Sequence, residues 1–126
     1  MTGPKTKAAR FDLEERTAKF GADSVRFART IPDTPIARPL VSQLVRAATS
    51  VGANQCEADD AETRKDFLHK LGICKKEAHE TKHWLRMVVV AAPELRADGP
   101  HSLAGSTRTE SHLQRYHSEH PRKSGR

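Results

Sequence analysis

The sequence predicts an all-α protein, an antiparallel up-and-down helical bundle with three long helices over about residues 12–31, 39–57 and 63–92. In each segment, apolar or small residues recur at alternating spacings of three and four. That is the period of a helix that turns one face toward partner helices. Prolines fall between the segments or at their edges, where helices begin and end. Aromatic residues make up only 5% of the 126-residue chain, so we expect an aliphatic, alanine-rich core.

The first helix is predicted to begin near Asp12, which can act as its N-cap. Glu14 and Glu15 follow in the first turn, where the helix dipole favours acids. Residues 32–35 contain two prolines and end the helix, whereas residues 1–10 are expected to form a flexible leader. The predicted core-facing residues of this helix are Leu13, Thr17, Phe20, Ser24, Phe27 and Ile31.

The second helix is predicted to open at Pro39, because proline is well tolerated in a first turn. Its apolar stripe consists of Leu40, Leu44, Ala47 and Val51. A polar stripe follows one side of the same helix and consists of Gln43, Arg46, Ser50, Asn54 and Glu57. One interpretation is a partly buried network, with Arg46 bound to Glu57 or Glu77 and Asn54 bound to backbone. The other is a stripe that contacts a second subunit or a ligand.

The third helix is predicted to start with Thr63 as N-cap, or a turn earlier with Asp60. Its predicted core-facing residues are Phe67, Leu71, Cys74, Ala78, Thr81, Leu85 and Val88. Apolar periodicity is lost after Leu95, so a fourth helix is degenerate or missing. The bundle domain is therefore predicted over 11–95, followed by a basic, His-rich tail over 96–126 that is flexible or forms a short helix. We expect part of the core to be left uncovered, for a second subunit, the tail or another partner to bury.

Composition excludes several classes of protein. The longest apolar run, residues 87–92, is far too short for a membrane span, and the N-terminus lacks the apolar segment of a signal peptide. Cys56 and Cys74 lack CxxC spacing and do not form a secreted disulfide framework. We therefore expect a cytoplasmic protein with reduced thiols, no cofactor and no evident small-molecule substrate. The net charge of +6 is spread along the chain, which permits an acidic partner without requiring one.

Three segments carry a family resemblance: FDL at 11–13, SQLVRAATSVGANQCEA at 42–58 and DFLHKLGICKKEAHETKHWL at 66–85. They resemble the small bacterial four-helix-bundle proteins named for open reading frames in intervening sequences of 23S ribosomal RNA genes, also called S23-type proteins. The resemblance implies an antiparallel up-and-down bundle that forms homopentameric rings and has no known enzymatic activity. The accessory variability protein of diversity-generating retroelements is similar in fold, and it binds nucleic acid and a reverse transcriptase.

The resemblance carries over residue by residue on two helices. The matching positions on the second helix are Ser42, Gln43, Arg46, Ala47, Ser50, Asn54 and Glu57, and those on the third are Phe67, Lys70, Glu77, Glu80, Trp84 and Leu85. Cys56 departs from the pattern, because related proteins usually carry a basic residue there. The family's apolar fourth helix has no counterpart after about Leu95. We therefore hypothesise that the C-terminal reading frame has been shifted or replaced.

Residues 79–83 match the zinc-protease string H-E-x-x-H, in which two histidines one turn apart hold zinc and the glutamate acts as general base. The extension found in metzincins is absent, since Arg86 and Val89 stand where glycine and the third histidine are needed. His79 and His83 are predicted on the solvent side of the helix. A zinc hydrolase is therefore the third of three functional interpretations. We assign no catalytic residue and no metal site, and expect only incidental Zn²⁺ or Ni²⁺ binding by the histidine pair.

Lys75, Lys76 and Lys82 are the candidate nucleic-acid contacts on the third helix. Glu77 and Glu80 are interspersed with them, and no aromatic stacking platform or known recognition motif accompanies them. The favoured function is a non-enzymatic, homo-oligomeric interaction or scaffold protein, a pentamer if the family resemblance extends to assembly. The alternative is an RNA- or DNA-binding accessory protein, associated with a retroelement or with ribosomal RNA.

Overall fold

The computed structural model describes the backbone of residues 4–95 and the side chains of residues 12–95. Three helices follow one another, α1 over Pro4–Ala28, α2 over Ala37–Asp59 and α3 over Arg64–Ala91, and a short 3₁₀ turn over Pro93–Leu95 ends the described chain. Residues 4–95 contain no strand. The all-α prediction is confirmed, while the predicted tail and the question of a fourth helix concern residues outside those described.

The first helix is longer at its start and shorter at its end than predicted. Residues 4–10, expected as a flexible leader, belong to α1. Pro4 suits a first turn because its missing N–H would have no helical partner there, and the alanines and basic residues that follow favour helix. At the other end α1 stops at Ala28 instead of Ile31. The residue before a proline is disfavoured in helical conformation, and Ile31 precedes Pro32.

The starts of α2 and α3 agree with the sequence analysis to within two residues. Pro39 lies in the first turn of α2, which begins at Ala37. Thr63 caps α3, because its side-chain oxygen accepts a hydrogen bond of 3.1 Å from the backbone N–H of Asp66. Asp60 instead closes the C-terminus of α2. Of the two predicted N-caps, Thr63 is therefore the correct one.

The predicted core faces are buried almost without exception. On α1 the predicted residues Leu13, Thr17, Phe20, Ser24 and Phe27 are at most 7% exposed, and on α3 those from Leu71 to Val88 are at most 1% exposed. Phe67 is only half-buried, and Leu68 occupies the first core position of α3 in its place. Part of the core was expected to need covering by a second subunit, the tail or another partner. The tail lies outside the described residues, so this expectation stays a prediction.

Two clusters of side chains define how the helices run. One joins Leu13 near the start of the α1 core face with Ala58 at the end of α2 and Leu71 early in α3. The other joins Phe27 at the end of α1 with Leu44 early in α2 and Leu85 late in α3. Successive helices are therefore antiparallel. Helix α2 packs against both α1 and α3, and within the described chain no comparable contact joins α1 to α3.

The helices of the described region are amphipathic, with charged outer faces. None of them has the combination of length and apolar character that a membrane span requires.

Candidate functional site

A cluster of five polar and aromatic side chains joins α2 to α3, and we call it the α2–α3 bridge. It consists of Gln43, Arg46, Glu77, Glu80 and Trp84. Arg46 donates from Nε to Gln43 Oε1 at 2.8 Å and from Nη1 to Glu77 Oε2 at 3.2 Å, and its Nη2 also contacts Glu80 Oε1. Trp84 Nε1 donates to the same Glu80 oxygen at 3.0 Å. One arginine thus connects two carboxylates on the neighbouring helix.

Helical spacing explains why these side chains meet. Gln43 and Arg46 are three residues apart on α2, and Glu77, Glu80 and Trp84 are three and four residues apart on α3, so each set lies on one side of its helix. The side chain of Arg46 is 44% exposed, whereas that of Glu77 is 17% exposed. The α2–α3 bridge therefore lies at the surface and covers the outer groove between α2 and α3.

The bridge lowers the pKa of Glu80. The largest cause is the hydrogen bond from the Trp84 indole. Burial is the second largest and acts in the opposite direction, while the charge and hydrogen bond of Arg46 lower the pKa further. Each of these donors favours the ionised carboxylate. Glu80 is consequently held as an anion with both Arg46 and Trp84 bound to it.

Of the other residues in the predicted polar stripe, Ser50 and Asn54 bond within α2, whereas Glu57 bonds to α3. Ser50 Oγ donates to the Arg46 carbonyl at 2.7 Å, and Asn54 Nδ2 donates to the Ser50 carbonyl at 2.8 Å. Glu57 pairs with Lys70 of α3 at 2.6 Å. Of the two partners predicted for Arg46, Glu77 is therefore present and Glu57 is not. Three helical turns, about 16 Å, separate residues 46 and 57 on one helix, which puts them out of reach of each other.

The histidine pair of the H-E-x-x-H string lies on the outer surface of α3. His79 and His83 are both exposed, and the His83 ring meets Trp84 edge-on, with ring centroids 4.9 Å apart. Glu80, the general base in a metalloprotease, points instead to Arg46. Within residues 12–95, no three His, Cys, Asp or Glu side chains come close enough together to hold a metal ion.

The outward face of α3 is basic. Lys76 is exposed, and Lys75 and Lys82 are half-buried at its edge. From residue 67 to the helix end the exposed residues are His69, Lys76, His79, His83, Arg86 and Val90. The two glutamates expected to interrupt the basic residues face α2 instead, where they belong to the bridge. The remaining family positions divide between core and edge, with Ala47 and Leu85 buried and Ser42 exposed.

Sequence analysis missed an open groove on the outer side of α1 and α2. It has a volume of about 480 Å³, and its lining residues are mostly small or apolar. Two glycines let the helices approach closely there. A Cβ added at Gly21 would lie 3.4 Å from the Ala48 carbonyl oxygen, and one at Gly52 would lie 3.5 Å from the Thr17 carbonyl oxygen. The lining residues are Ala18, Gly21, Ala22, Val25, Arg26 and Arg29 with Thr17, Thr49 and Gly52.

Gln55 was also missed. It is fully buried, and its Nε2 donates to Asp59 at 3.2 Å. Its Oε1 is buried without a hydrogen-bond partner among the described residues, which is uncommon for a buried polar atom. Helical spacing could have found it, because Gln55 lies four residues after Val51 and so continues the apolar stripe of α2.

The two cysteines have different environments. Cys74 is fully buried, and burial raises the pKa of its thiol to about 12. Its Sγ donates to the Val51 carbonyl at 3.3 Å. Cys56 is exposed. A protonated, buried thiol is unreactive, so Cys74 acts as a small core residue, as predicted.

Comparison with known proteins agrees with this fold. The sequence profile described as 23S rRNA-intervening sequence protein matches residues 11–91. A crystal structure from Bacteroides thetaiotaomicron, described as a protein with unknown function from the S23 ribosomal protein family, superposes with a TM-score of 0.77. The two chains share 26% identity over 86% of this chain and 96% of the other. No curated protein matches.

Proposed function

Because the chain belongs to the 23S rRNA-intervening sequence protein family, we propose that it acts through self-association, as a non-enzymatic homo-oligomeric interaction protein. The observation that carries this proposal is the open groove between α1 and α2. A ring of five copies is the assembly that the family resemblance implies. The cytoplasm is the proposed compartment, since the free thiols of Cys56 and Cys74 suit a reducing environment.

The groove differs from the surface between α2 and α3, which polar side chains span. Between α2 and α3, the side chains of the α2–α3 bridge cover the outer groove with paired charges. Between α1 and α2, small residues such as Ala18 and Ala22 leave the groove open to solvent. The groove is a shallow depression lined mainly by apolar surface, and we place the second copy there.

The state of Glu80 supports the non-enzymatic part of the proposal. A general base in a zinc hydrolase must accept a proton from a metal-bound water. The Glu80 carboxylate is bound by Arg46 and Trp84, and its pKa is lowered, which makes it a weaker base. The two flanking histidines lie on an open helix surface and not in a cleft.

Light scattering on the full chain, purified with nuclease treatment, tests the proposal. Self-association predicts a molar mass that is a multiple of 14.0 kDa and that falls on dilution. The nuclease step matters because bound nucleic acid would raise the apparent mass on its own. A constant mass of one chain at every concentration would overturn the proposal.

A second candidate function is RNA or DNA binding, and the basic outward face of α3 favours it. Lys76 and Arg86 are exposed on that face, with Lys75 and Lys82 at its edge, while the neighbouring glutamates are engaged with Arg46. Such contacts bind phosphates, so the affinity should fall steeply as salt rises.

Fluorescence anisotropy with a labelled single-stranded RNA and the matching DNA tests this second function. A Lys76→Glu, Arg86→Glu variant should weaken binding and reduce the salt dependence. Arg38→Glu is the matched control, because Arg38 is 65% exposed but lies at the start of α2. Absence of binding at low salt, or equal loss in both variants, would remove this candidate.

A further inference from the structure

We infer that the groove between α1 and α2 receives the acidic turn of a second copy, the turn over residues 60–62 that links α2 to α3. This inference rests on the proposed self-association and adds the two surfaces that meet. One is concave and carries arginines, and the other is a short projection that carries two acids. The contact is therefore head-to-tail, with different surfaces of the two copies facing each other.

The groove carries positive charge at one end. Arg26 and Arg29 line the part near the α1 C-terminus. Arg26 is 69% exposed and pairs with Asp23 at 3.0 Å, and Asp23 also holds Lys19 at 2.6 Å. Arg29 is exposed, and its side chain makes no ion pair within the described part of the chain. An arginine that has no ion pair among the described residues, beside an apolar groove, suits a partner that is acidic and partly apolar.

The α2–α3 turn has this combination. Asp60 and Glu62 are both exposed, and neither makes an ion pair with another described residue. Ala61 lies between them and is half-buried, so a small apolar residue is flanked by two exposed carboxylates. The turn follows the end of α2 at Asp59 and precedes the Thr63 cap of α3, and helices on both sides hold it in place.

The arginine end of the groove lies too far from the turn for the two to meet within one chain. The end of α1 packs beside Leu44 early in α2, through Phe27, whereas the turn follows the last residue of α2. The fifteen residues from Leu44 to Asp59 rise about 22 Å along the helix. Each copy therefore carries the arginine end of its groove far from its own turn. A contact of this type repeats from copy to copy and closes into a ring when the rotation allows it.

Charge reversal across the two surfaces is the first half of the test. Two charge-reversal variants should each weaken association of the full chain about tenfold or more, because like charges then meet. One is the single variant Arg29→Glu, and the other is the double variant Asp60→Lys, Glu62→Lys. A chain that carries all three substitutions restores opposite charges and should regain most of the wild-type affinity. Arg38→Glu is the matched control, since Arg38 is exposed at the start of α2 and does not line the groove. Sedimentation equilibrium measures each dissociation constant.

Filling the groove is the second half of the test. Ala18→Trp places a large ring in the groove from an exposed position and should abolish assembly while the helical circular dichroism stays unchanged. Ala53→Trp is its control, because Ala53 is exposed on α2 but does not line the groove. An unchanged dissociation constant in Ala18→Trp and Arg29→Glu would overturn the inference and leave the proposed self-association standing.

The remaining outcomes also decide the matter. If the groove variants dissociate while the turn variants assemble normally, another part of the second copy occupies the groove and the inference is wrong. The same holds if the triple variant is folded but fails to regain affinity. A wild-type chain that stays monomeric at every concentration would overturn both the inference and the proposed function.

Discussion

Arg46 on α2 and Glu77 on α3 are 31 positions apart in the chain, yet Arg46 Nη1 lies 3.2 Å from Glu77 Oε2. The same guanidinium contacts Glu80, one turn further along α3. These contacts determine which turn of α2 lies beside which turn of α3. Fixing the register of neighbouring elements is the best-attested use of such polar contacts. The geometry therefore favours the network interpretation of the polar stripe over the subunit-interface interpretation.

Substituting Arg46 with alanine should lower the free energy of unfolding by about 1 kcal/mol, because several hydrogen bonds are lost at a partly exposed site. Urea denaturation followed by circular dichroism measures the change. Arg38→Ala is the control, since its pair with Asp33 is more exposed and should contribute less than about 0.5 kcal/mol. Unchanged stability in Arg46→Ala, together with loss of assembly, would support the interface interpretation instead.

Trp84→Phe should raise the pKa of Glu80 toward its ordinary value, because the indole hydrogen bond is the largest cause of the lowered pKa. A carboxyl whose folded pKa is lowered contributes stability above its unfolded pKa and loses that stability as pH falls through the folded pKa. The wild-type chain should therefore lose stability as pH falls below about 4.5, more steeply than Trp84→Phe does.

Carbon-13 NMR titration of the Glu80 carboxyl, with urea denaturation at matched pH values, measures both effects. Glu80→Gln provides the control, because it removes this contribution to the pH dependence altogether. A Glu80 titration that is identical in the wild-type and Trp84→Phe chains would contradict the assignment of the indole as the main cause.

One thiol per chain should react quickly with a maleimide in the native state, and two should react after unfolding. Cys56 is exposed, whereas Cys74 is buried with a pKa raised to about 12, and the thiolate is the reactive form. Mass spectrometry after timed labelling counts the modified sites. Cys56→Ser should remove the fast reaction, and equally fast labelling of both cysteines in the native chain would contradict the burial of Cys74.

Gln55→Met should raise the free energy of unfolding by about 1 kcal/mol. The substitution removes a buried acceptor that has no partner among the described residues, and an apolar side chain of similar length avoids that desolvation cost. Asn54→Met on the neighbouring position is the control, because Asn54 is only half-buried and bonds to the Ser50 carbonyl. Lower stability in Gln55→Met would mean that the amide is fully hydrogen-bonded in solution.

Much of the fold could be predicted because helical periodicity reports directly on burial. The alternation that includes Phe20 and Leu85 marks positions that the structure buries, and the Thr63 cap follows from the local hydrogen-bonding capacity of threonine. The start of α1 was predicted wrongly. A polar N-terminal segment that contains Pro4 is typical of a loop, but its alanine and lysine residues favour helix. Periodicity also could not choose between Phe67 and Leu68, which are adjacent at the edge of the core face.

The candidate site could be predicted only in part. Sequence spacing placed Gln43 and Arg46 on one side of α2. It also predicted Glu77 as one of two possible partners of Arg46. The role of Trp84 as a donor to Glu80 depends on side-chain rotamers and the distance between helices, which no pattern in the chain reports. The α1–α2 groove was missed for a related reason. In the sequence, a small residue such as Ala18 indicates only a preference for helix. The groove arises because two helices pack side by side, and the sequence pattern does not report how they pack.

Self-association is the central claim, and native mass spectrometry of the nuclease-treated full chain tests it most directly. The claim predicts a dominant species whose mass is a whole multiple of 14.0 kDa and which loses intensity to the single chain on dilution. A spectrum that contains only the single chain for the wild-type protein, under conditions where its helical circular dichroism is intact, would contradict it.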